Sequence, residues 1–318
     1  ETNVEHLRRV VLKSTPFYAE SGGQVSDHGA LFAGAHRYEV VDVQKVGEVV
    51  VHVVQAEDWE ALEKASTVNA MVEASMREET MKHHSVAHLL HQALKDVLGA
   101  QVAQAGSAVN HAQVRFDFNL NRPMTAEEIL RVEERVNDQI MRNLPVHTSI
   151  LPIEEARNSG AVAMFGEKYG EKVRVVSMGE YSSEFCGGTH VSATGTIGSF
   201  KIIAEEALAA GVRRVVGVAG RQAYIYSSQN EALLRTLSQD LKTPFENIPE
   251  RVMKLQQTLK TQEKAIKALK SELALQQVGA LAKQFKVHGD IHYLATQVDV
   301  PDMGALKQIA ENLKGYKP

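Results

Sequence analysis

The stretch Glu184-Phe185-Cys186-Gly187-Gly188-Thr189-His190 carries the only cysteine of the chain. A single thiol cannot form an internal disulfide, so this one needs another role. Cys186 and His190 lie four residues apart in a glycine-rich segment. About a hundred residues earlier, His84-Ser85-Val86-Ala87-His88 sets two imidazoles four apart. Together the four residues are a full set for a four-coordinate Zn²⁺. The HxxxH pair alone is a weak signal, because histidine pairs on helices are often structural. The CxxxH strengthens it, since a glycine-rich turn releases both side chains toward one point. His83 and His91 flank the pair, so spacing does not fix which imidazoles bind. No Glu follows His84, which excludes the HExxH metalloprotease arrangement with its helical general base.

Outward from these motifs the chain alternates strand and helix patterns. Residues 1–56 read as strands: Val10 to Leu12, Tyr38 to Val41 and Val49 to Val54 are β-branched runs between Gly- and Asp-containing turns. They predict a small antiparallel sheet or barrel. Between them, Gly22-Gly23 reads as a tight turn that lets backbone approach another group closely. From about Ser75 to Leu98 the period is helical, with Ser75 and Glu78 as a capping box and Gly99 as a stop. Val86, Leu89, Leu90, Ala93, Leu94, Val97 and Leu98 mark its apolar stripe, which puts His84 and His88 one turn apart. Residues 111–118 alternate as a strand around Val114, Phe116 and Phe118. Thr125 with Glu128 caps a further helix carrying Ile129, Val132, Val136 and Ile140. Val173 to Met178 and Ile197 to Ala204 read as strands, with Cys186 in the turn between them. Beyond about Gln222 helix formers dominate. After breaks at Pro244 and Pro249, Val252, Leu255, Leu259, Gln262, Ile266, Leu269 and Leu273 fall alternately three and four apart, a heptad seam with one polar interruption. A solvated helical hairpin would show the same spacing.

The 318 residues are 44% hydrophobic and 23% charged, ordinary for a globular protein with length for about two domains. A net charge of −4 does not advertise a polyanion partner for the whole chain, although local basic patches remain open. One cysteine argues for a reducing compartment. No apolar run approaches the roughly 18–20 residues of a membrane span. The chain starts Glu1-Thr2-Asn3 and ends soon after a new strand-and-helix pattern begins, so the expectation is a piece of a longer protein.

HSVAHLLHQAL, QAGSAV, VRFDF, FGEKYGEKVRVVSMG, EFCGGTH, GTIGSFKI and GVRR, in this order and spacing, closely resemble the editing domain of alanyl-tRNA synthetases. TPFYAESGGQVSDHG resembles the glycine-rich segment that precedes that domain. The likeness covers roughly residues 1–220. Residues 221–318 resemble the next portion of bacterial members, a helical, coiled-coil-prone linker and the start of a C-terminal domain. Two departures stand out. The family commonly reads HTATHLL at residues 84–90, and Ile-Glu where this chain has Val215-Val216. Neither removes a candidate ligand; both bear on fine substrate preference.

The resemblance implies an α+β protein: residues 1–74 a glycine-rich, β-barrel-like subdomain, 75–220 a zinc-binding editing domain, 221–286 a helical linker or coiled coil, and 287–318 a truncated C-terminal domain. The ATP-dependent ligase and tRNA-recognition parts would precede residue 1. The implied activity is hydrolysis of Ser-tRNA(Ala) and Gly-tRNA(Ala), with Zn²⁺ held by His84, His88, Cys186 and His190. A synthetic pocket built for a methyl group cannot strongly reject glycine or serine, so a second sieve is needed. Gln104 matches a family glutamine of the editing pocket, and Thr15, Gln24 and Asp27 match the glycine-rich segment and would line the same pocket. Arg213, Arg214 and Arg115 are candidates for contact with the tRNA, with an Arg115–Asp117 cross-strand pair as the alternative for Arg115. Phe165, Lys168 and Tyr169 match a family stretch and have no role beyond packing. The expected partner is the aminoacylated 3′ end of tRNA(Ala), the expected setting is the cytoplasm, and a membrane is not expected. A longer protein would oligomerise through the C-terminal region, leaving this chain a monomer or weak dimer. The rival readings are a freestanding trans-editing deacylase and a catalytically silent, zinc-stabilised tRNA-binding module.

Overall fold

The first sheet is antiparallel and open. Its strands are β1 (Leu7–Val11), β2 (Gly29–Ala33), β3 (His36–Val46), β4 (Val49–Gln55) and, after the short helix α1 (Glu60–Lys64), β5 (Asn69–Val72). Their order is β1-β4-β3-β2-β5. Barrel closure over residues 1–74 is therefore not what forms. Closing a sheet requires its first and last strands to pair, whereas β1 pairs with β4 and β5 with β2. One apolar face suffices instead: Phe17, Leu31, Tyr38, Val40, Val43, Val54 and Trp59 form a single cluster. A bulge between Val40 and Asp42 shifts the inward positions of β3 from even to odd numbers, which keeps Val43 in that cluster.

This computed structural model describes residues 6–163, 169–276, 278–300 and 302–316, so Phe165 and Lys168 lie outside the described residues. It divides into two units, Glu1–Gln229 and Asn230–Pro318. In the first unit the helix α2 (Ala74–Leu98) is followed by β6 (Gln104–Val109), β7 (Val114–Asn119), α3 (Ala126–Met141), β8 (Val146–Pro152), α4 (Ile153–Asn158), β9 (Lys172–Met178), β10 (Ser182–Phe185), β11 (Phe200–Ala209) and β12 (Val212–Ala219). A four-stranded sheet runs β11-β12-β7-β6 and a three-stranded one β10-β9-β8. Helices α2 and α3 pack on each other. Leu89, Leu90 and Leu94 from α2, Val132, Val136 and Ile140 from α3, and Phe116, Phe118, Phe200 and Val215 from the sheet share one core. Truncating a fully buried phenylalanine such as Phe116 in a core of this kind costs about 3–5 kcal/mol.

Local signals fare unevenly. Thr125 and Glu128 form the reciprocal capping box of α3. Gly99 ends α2 at a φ of 112°. Ser75, however, is not the cap of α2: the helix begins at Ala74 after Glu73, and the Ser75 hydroxyl donates to the Glu73 carboxylate at 2.8 Å. Gly22 and Gly23, at φ 56° and 80°, make the two-residue turn, with Ser21 and Gln24 exchanging backbone hydrogen bonds. Strand β6, which pairs with the strand expected at 111–118, and the whole of β8 are additions that no sequence pattern announces.

Helix α5 (Gly220–Leu241) is followed by α6 (Ile248–Gln276), α7 (Val278–Ala282), the hairpin β13 (Lys286–His288) and β14 (Ile291–Tyr293), and α8 (Met303–Lys314). Pro249 sits in the first turn of α6, where a missing N–H is harmless, so it starts the helix. The seam residues Val252, Leu255, Leu259, Ile266, Leu269 and Leu273 are exposed. Val278, Leu281 and Ile309 form the small core of this unit. Among the described residues no helix is long and apolar enough to cross a membrane.

Candidate metal centre

Helix α2 presents His84 and His88 with their rings stacked, 5.5 Å apart and 9° from parallel. Strand β10 delivers Cys186 just past its end. Arg174 of β9 fixes the glycine turn there: its guanidinium donates to the carbonyls of Cys186 at 2.9 Å and Gly188 at 2.6 Å. The turn brings His190 back over the helix, 4.5 Å from the His84 ring and 4.9 Å from the His88 ring. One ligand atom from each of His84, His88, Cys186 and His190 lies within 4.8 Å of the others. Cys186 Sγ is 3.2 Å from His190 Nε2 and 3.4 Å from His84 Nε2.

Each imidazole is oriented through its other nitrogen. His84 Nδ1 meets Gln24 Oε1 at 2.6 Å, His88 Nδ1 meets Glu184 Oε2 at 2.5 Å, and His190 Nδ1 meets Ser85 Oγ at 3.2 Å. A metal-binding histidine uses this outer hydrogen bond to fix its tautomer and aim. A carboxylate only accepts, so His88 carries a hydrogen on Nδ1 and turns Nε2 inward, open to a cation once its own proton is displaced. That Nε2 is buried and has no hydrogen-bond partner among the described residues. An orphaned nitrogen beside a thiol and two more imidazoles is what a thiophilic cation satisfies, so the residues fit a metal ion.

The electrostatics agree with that fit. Burial would push the Cys186 thiol up, but the His190, His84 and His88 rings around it outweigh that and bring it down to about 2. Burial and the neighbouring His84 lower His190 to about 3. Burial would lower His88 as well, but the Glu184 carboxylate beside it wins and raises it to about 10. A cation and a proton therefore compete for His88, and metal affinity falls as the solution is acidified.

The flanking histidines are excluded by direction. His83 is a core residue: its Nδ1 faces the Glu79 carbonyl at 2.9 Å and its Nε2 accepts from the Ala219 N–H at 3.0 Å. Burial lowers its pKa to about 4, and a proton on Nε2 would confront that N–H. The depressed value makes the contribution one that is complete above the ordinary histidine range and lost as pH falls through the folded value. Stability of the first unit should thus drop by about 3 kcal/mol between about pH 7 and pH 4 on account of His83. Urea midpoints measured across that range for the parent and His83→Gln check this, the parent showing the steeper loss. His91 Nδ1 faces Glu184 Oε1 at 2.7 Å, so one carboxylate holds two imidazoles.

A small cavity of about 190 Å³ opens beside the cluster. Its walls include His84, His88, Cys186, Gln104, Ser107 and Tyr18. Gln104 is therefore beside the candidate ligands, with its Nε2 donating to Ser107 Oγ at 3.0 Å. Thr15, Gln24 and Asp27 are not among the wall residues. Thr15 pairs with the buried His52 at 2.7 Å. Asp27 accepts from the Tyr18 N–H at 2.6 Å and is clamped by Arg77 of α2. Gln24 is fully buried behind the His84 ring, with its amide committed to His84 and Thr189. Arg213 forks onto Glu205 and Arg214 onto Asp117, so both guanidinium groups are committed to carboxylates. The pair that crosses strands is thus Arg214–Asp117; Arg115 and Asp117 lie two apart on β7, and Arg115 is exposed. Glu184, Ser85 and Arg174, which hydrogen-bond to the candidate ligands or their turn, are positions that motif spacing does not single out. For Glu184 a signal exists, an acid inside an otherwise buried strand next to the cysteine.

Comparison with known proteins gives the family. Residues 173–216 match the family described as the threonyl and alanyl tRNA synthetase second additional domain, and residues 1–76 match class II (A) tRNA synthetases. The chain thus carries the sequence of a class II aminoacyl-tRNA synthetase with this additional domain. Alanine–tRNA ligases of Idiomarina loihiensis and Oceanobacillus iheyensis are 41% and 43% identical over 96% and 99% of the chain, and that of Burkholderia orbicola is 44% identical over 96%. The chain belongs to the alanyl-tRNA synthetase family. It spans about a third of the length of these relatives, 35%, 36% and 35% respectively.

Proposed function

We propose that the cavity hydrolyses the ester linking serine or glycine to the 3′ end of tRNA(Ala). The observation that carries this reading is the small cavity whose walls include three of the four candidate ligands, His84, His88 and Cys186, together with Gln104. At about 190 Å³ it is below the usual range for drug-sized ligands, about 300–1,000 Å³, and suits an aminoacyl group alone. His84, His88, Cys186 and His190 would hold Zn²⁺. When bound, such an ion supplies Lewis acidity toward a carbonyl oxygen or a water.

The rest of the chemistry falls to the chain. With Nε2 tied to Ser107, the Gln104 carbonyl oxygen is left to accept from a seryl hydroxyl or from the attacking water. The Tyr18 hydroxyl donates to the Ser21 carbonyl at 2.9 Å, and burial with the nearby Cys186 pushes the phenol up to about 12, so its ring walls the cavity as a neutral group. Glycine enters because it is smaller than alanine, and serine gains a hydrogen bond that alanine lacks, the logic of a second sieve. Arg115, exposed on β7, is the remaining candidate for a phosphate contact. The division at residues 74, 220 and 286, a cytoplasmic setting, and association of the longer protein through the region after residue 286 accompany this reading.

A second reading rests on the ligand count. Four protein ligands close a structural zinc site, whereas catalytic sites keep a position open. We therefore favour an ion that positions the substrate, with a silent tRNA-binding module as the rival. A deacylation time course on Ser-tRNA(Ala) decides. Parent chain that hydrolyses it, with Cys186→Ala folded and slower by about a hundredfold or more, is the expected result. A folded, zinc-loaded parent that leaves the ester intact overturns the activity.

A further inference from the structure

Gln24 reaches the cluster from another part of the fold. It closes the two-residue turn at the tip of the segment that connects β1 to β2, sixty residues before His84. The Thr189 N–H donates to its Oε1 at 2.9 Å. A backbone N–H can only donate, so that atom is the amide oxygen. The same oxygen faces His84 Nδ1 at 2.6 Å, which therefore carries the hydrogen. His84 Nε2 is then bare and directed at Cys186 Sγ. The Gln24 Nε2 is spent on Thr189 Oγ1 at 2.9 Å. The side chain is fully buried and every polar atom of it is engaged.

The tip that carries Gln24 also docks the N-terminal sheet. Val109 of β6 donates to the Gly23 carbonyl at 2.7 Å and accepts from the Val25 N–H at 3.0 Å. A Cβ on Gly23 would lie 2.5 Å from the Ser107 carbonyl oxygen, so the approach needs glycine. Asp27 and Arg77 close the other side. The hydrogen bond that aims His84 and the contacts that seat the sheet are made by the same few residues.

We propose that Gln24 is a positioning residue of the metal centre, and that through it ion binding and docking of the N-terminal sheet on α2 and β6 form one linked equilibrium. This rests on the metal reading of the four ligands. Loss of an outer hydrogen-bond partner typically weakens metal binding about 10–100-fold. Linkage is reciprocal, so the ion must favour the docked tip by the same factor.

Zinc affinity by competition with a chromogenic chelator tests the first half. Gln24→Ala should bind zinc about 10–100-fold more weakly than the parent, while Gln24→Glu, which keeps the accepting oxygen, should bind at least as tightly as the parent. Hydrogen exchange at the Val25 and Val109 amides tests the second half on the intact parent chain: zinc should slow both, and in Gln24→Ala it should slow them less. Equal affinities for Gln24→Ala and parent, or bridge amides in the parent indifferent to zinc, overturn the proposal and leave the ligand assignment standing. A parent that binds zinc no better than Cys186→Ala overturns the ligand assignment and this proposal together.

Discussion

Gly188→Ala is expected to dismantle the ligand cluster while Gly187→Ala, one residue away, leaves it intact. A methyl at Gly188 would overlap Cε1 and Nδ1 of His84 and lie 2.9 Å from Gln24 Oε1. His84 has nowhere to go: its ring is stacked on His88, tied to Gln24 and buried against the turn. The turn cannot retreat either, because Arg174 holds the Gly188 carbonyl. Relief therefore separates Cys186 from His84. Zinc affinity should fall by about a hundredfold or more, and deacylation with it. At Gly187 an added methyl meets nothing within 4 Å, so that variant should bind zinc like the parent. Two variants of equal chemistry thus predict opposite outcomes in one chelator titration, and equal affinities would refute the packing argument.

Glu184→Ala should cost the first unit about 3–5 kcal/mol, the penalty for breaking a buried charged pair from one side. Glu184 is buried, and its two oxygens hold His88 and His91 at 2.5 and 2.7 Å. Burial would raise this carboxyl, but His88 beside it dominates and holds it well below the usual carboxylate range. Alanine leaves two buried imidazoles without acceptors and frees the ring of a candidate ligand. Glu184→Gln retains one carbonyl oxygen and should recover part of the loss. Urea midpoints of the three proteins settle the order; an alanine variant as stable as the parent would show that the carboxylate is not the keystone proposed.

The four candidate ligands and helix α2, which carries two of them, are legible in the sequence because helical spacing and a glycine turn are local signals. Direction is not. His83, His84, His88 and His91 are alike in sequence, and only the packing of α2 sends His83 to Ala219, His91 to Glu184 and the other two to Cys186. The carboxylate partners of Arg213 and Arg214 come from neighbouring strands, and cross-strand register cannot be read from one strand. The same limit explains Gln24 and Asp27. Their motif stands out, but which face of the turn meets α2 depends on a contact with β6 far along the chain. The open first sheet follows from pairing order, which short β-branched runs do not encode.

The separation of the two motifs has a consequence for the unfolded chain. His84 and Cys186 are 102 residues apart. An ion gripping both acts as a staple across that span. Unlike a disulfide, such a clasp is released when the chain unfolds, so the free energy of binding the ion adds directly to the free energy of folding. The ribosome must extrude His190 before the ion can bridge the two motifs, so the first sheet, α2 and β6 to β10 emerge ahead of that clasp, while β11 and β12, which complete the sheet beside α2, follow it.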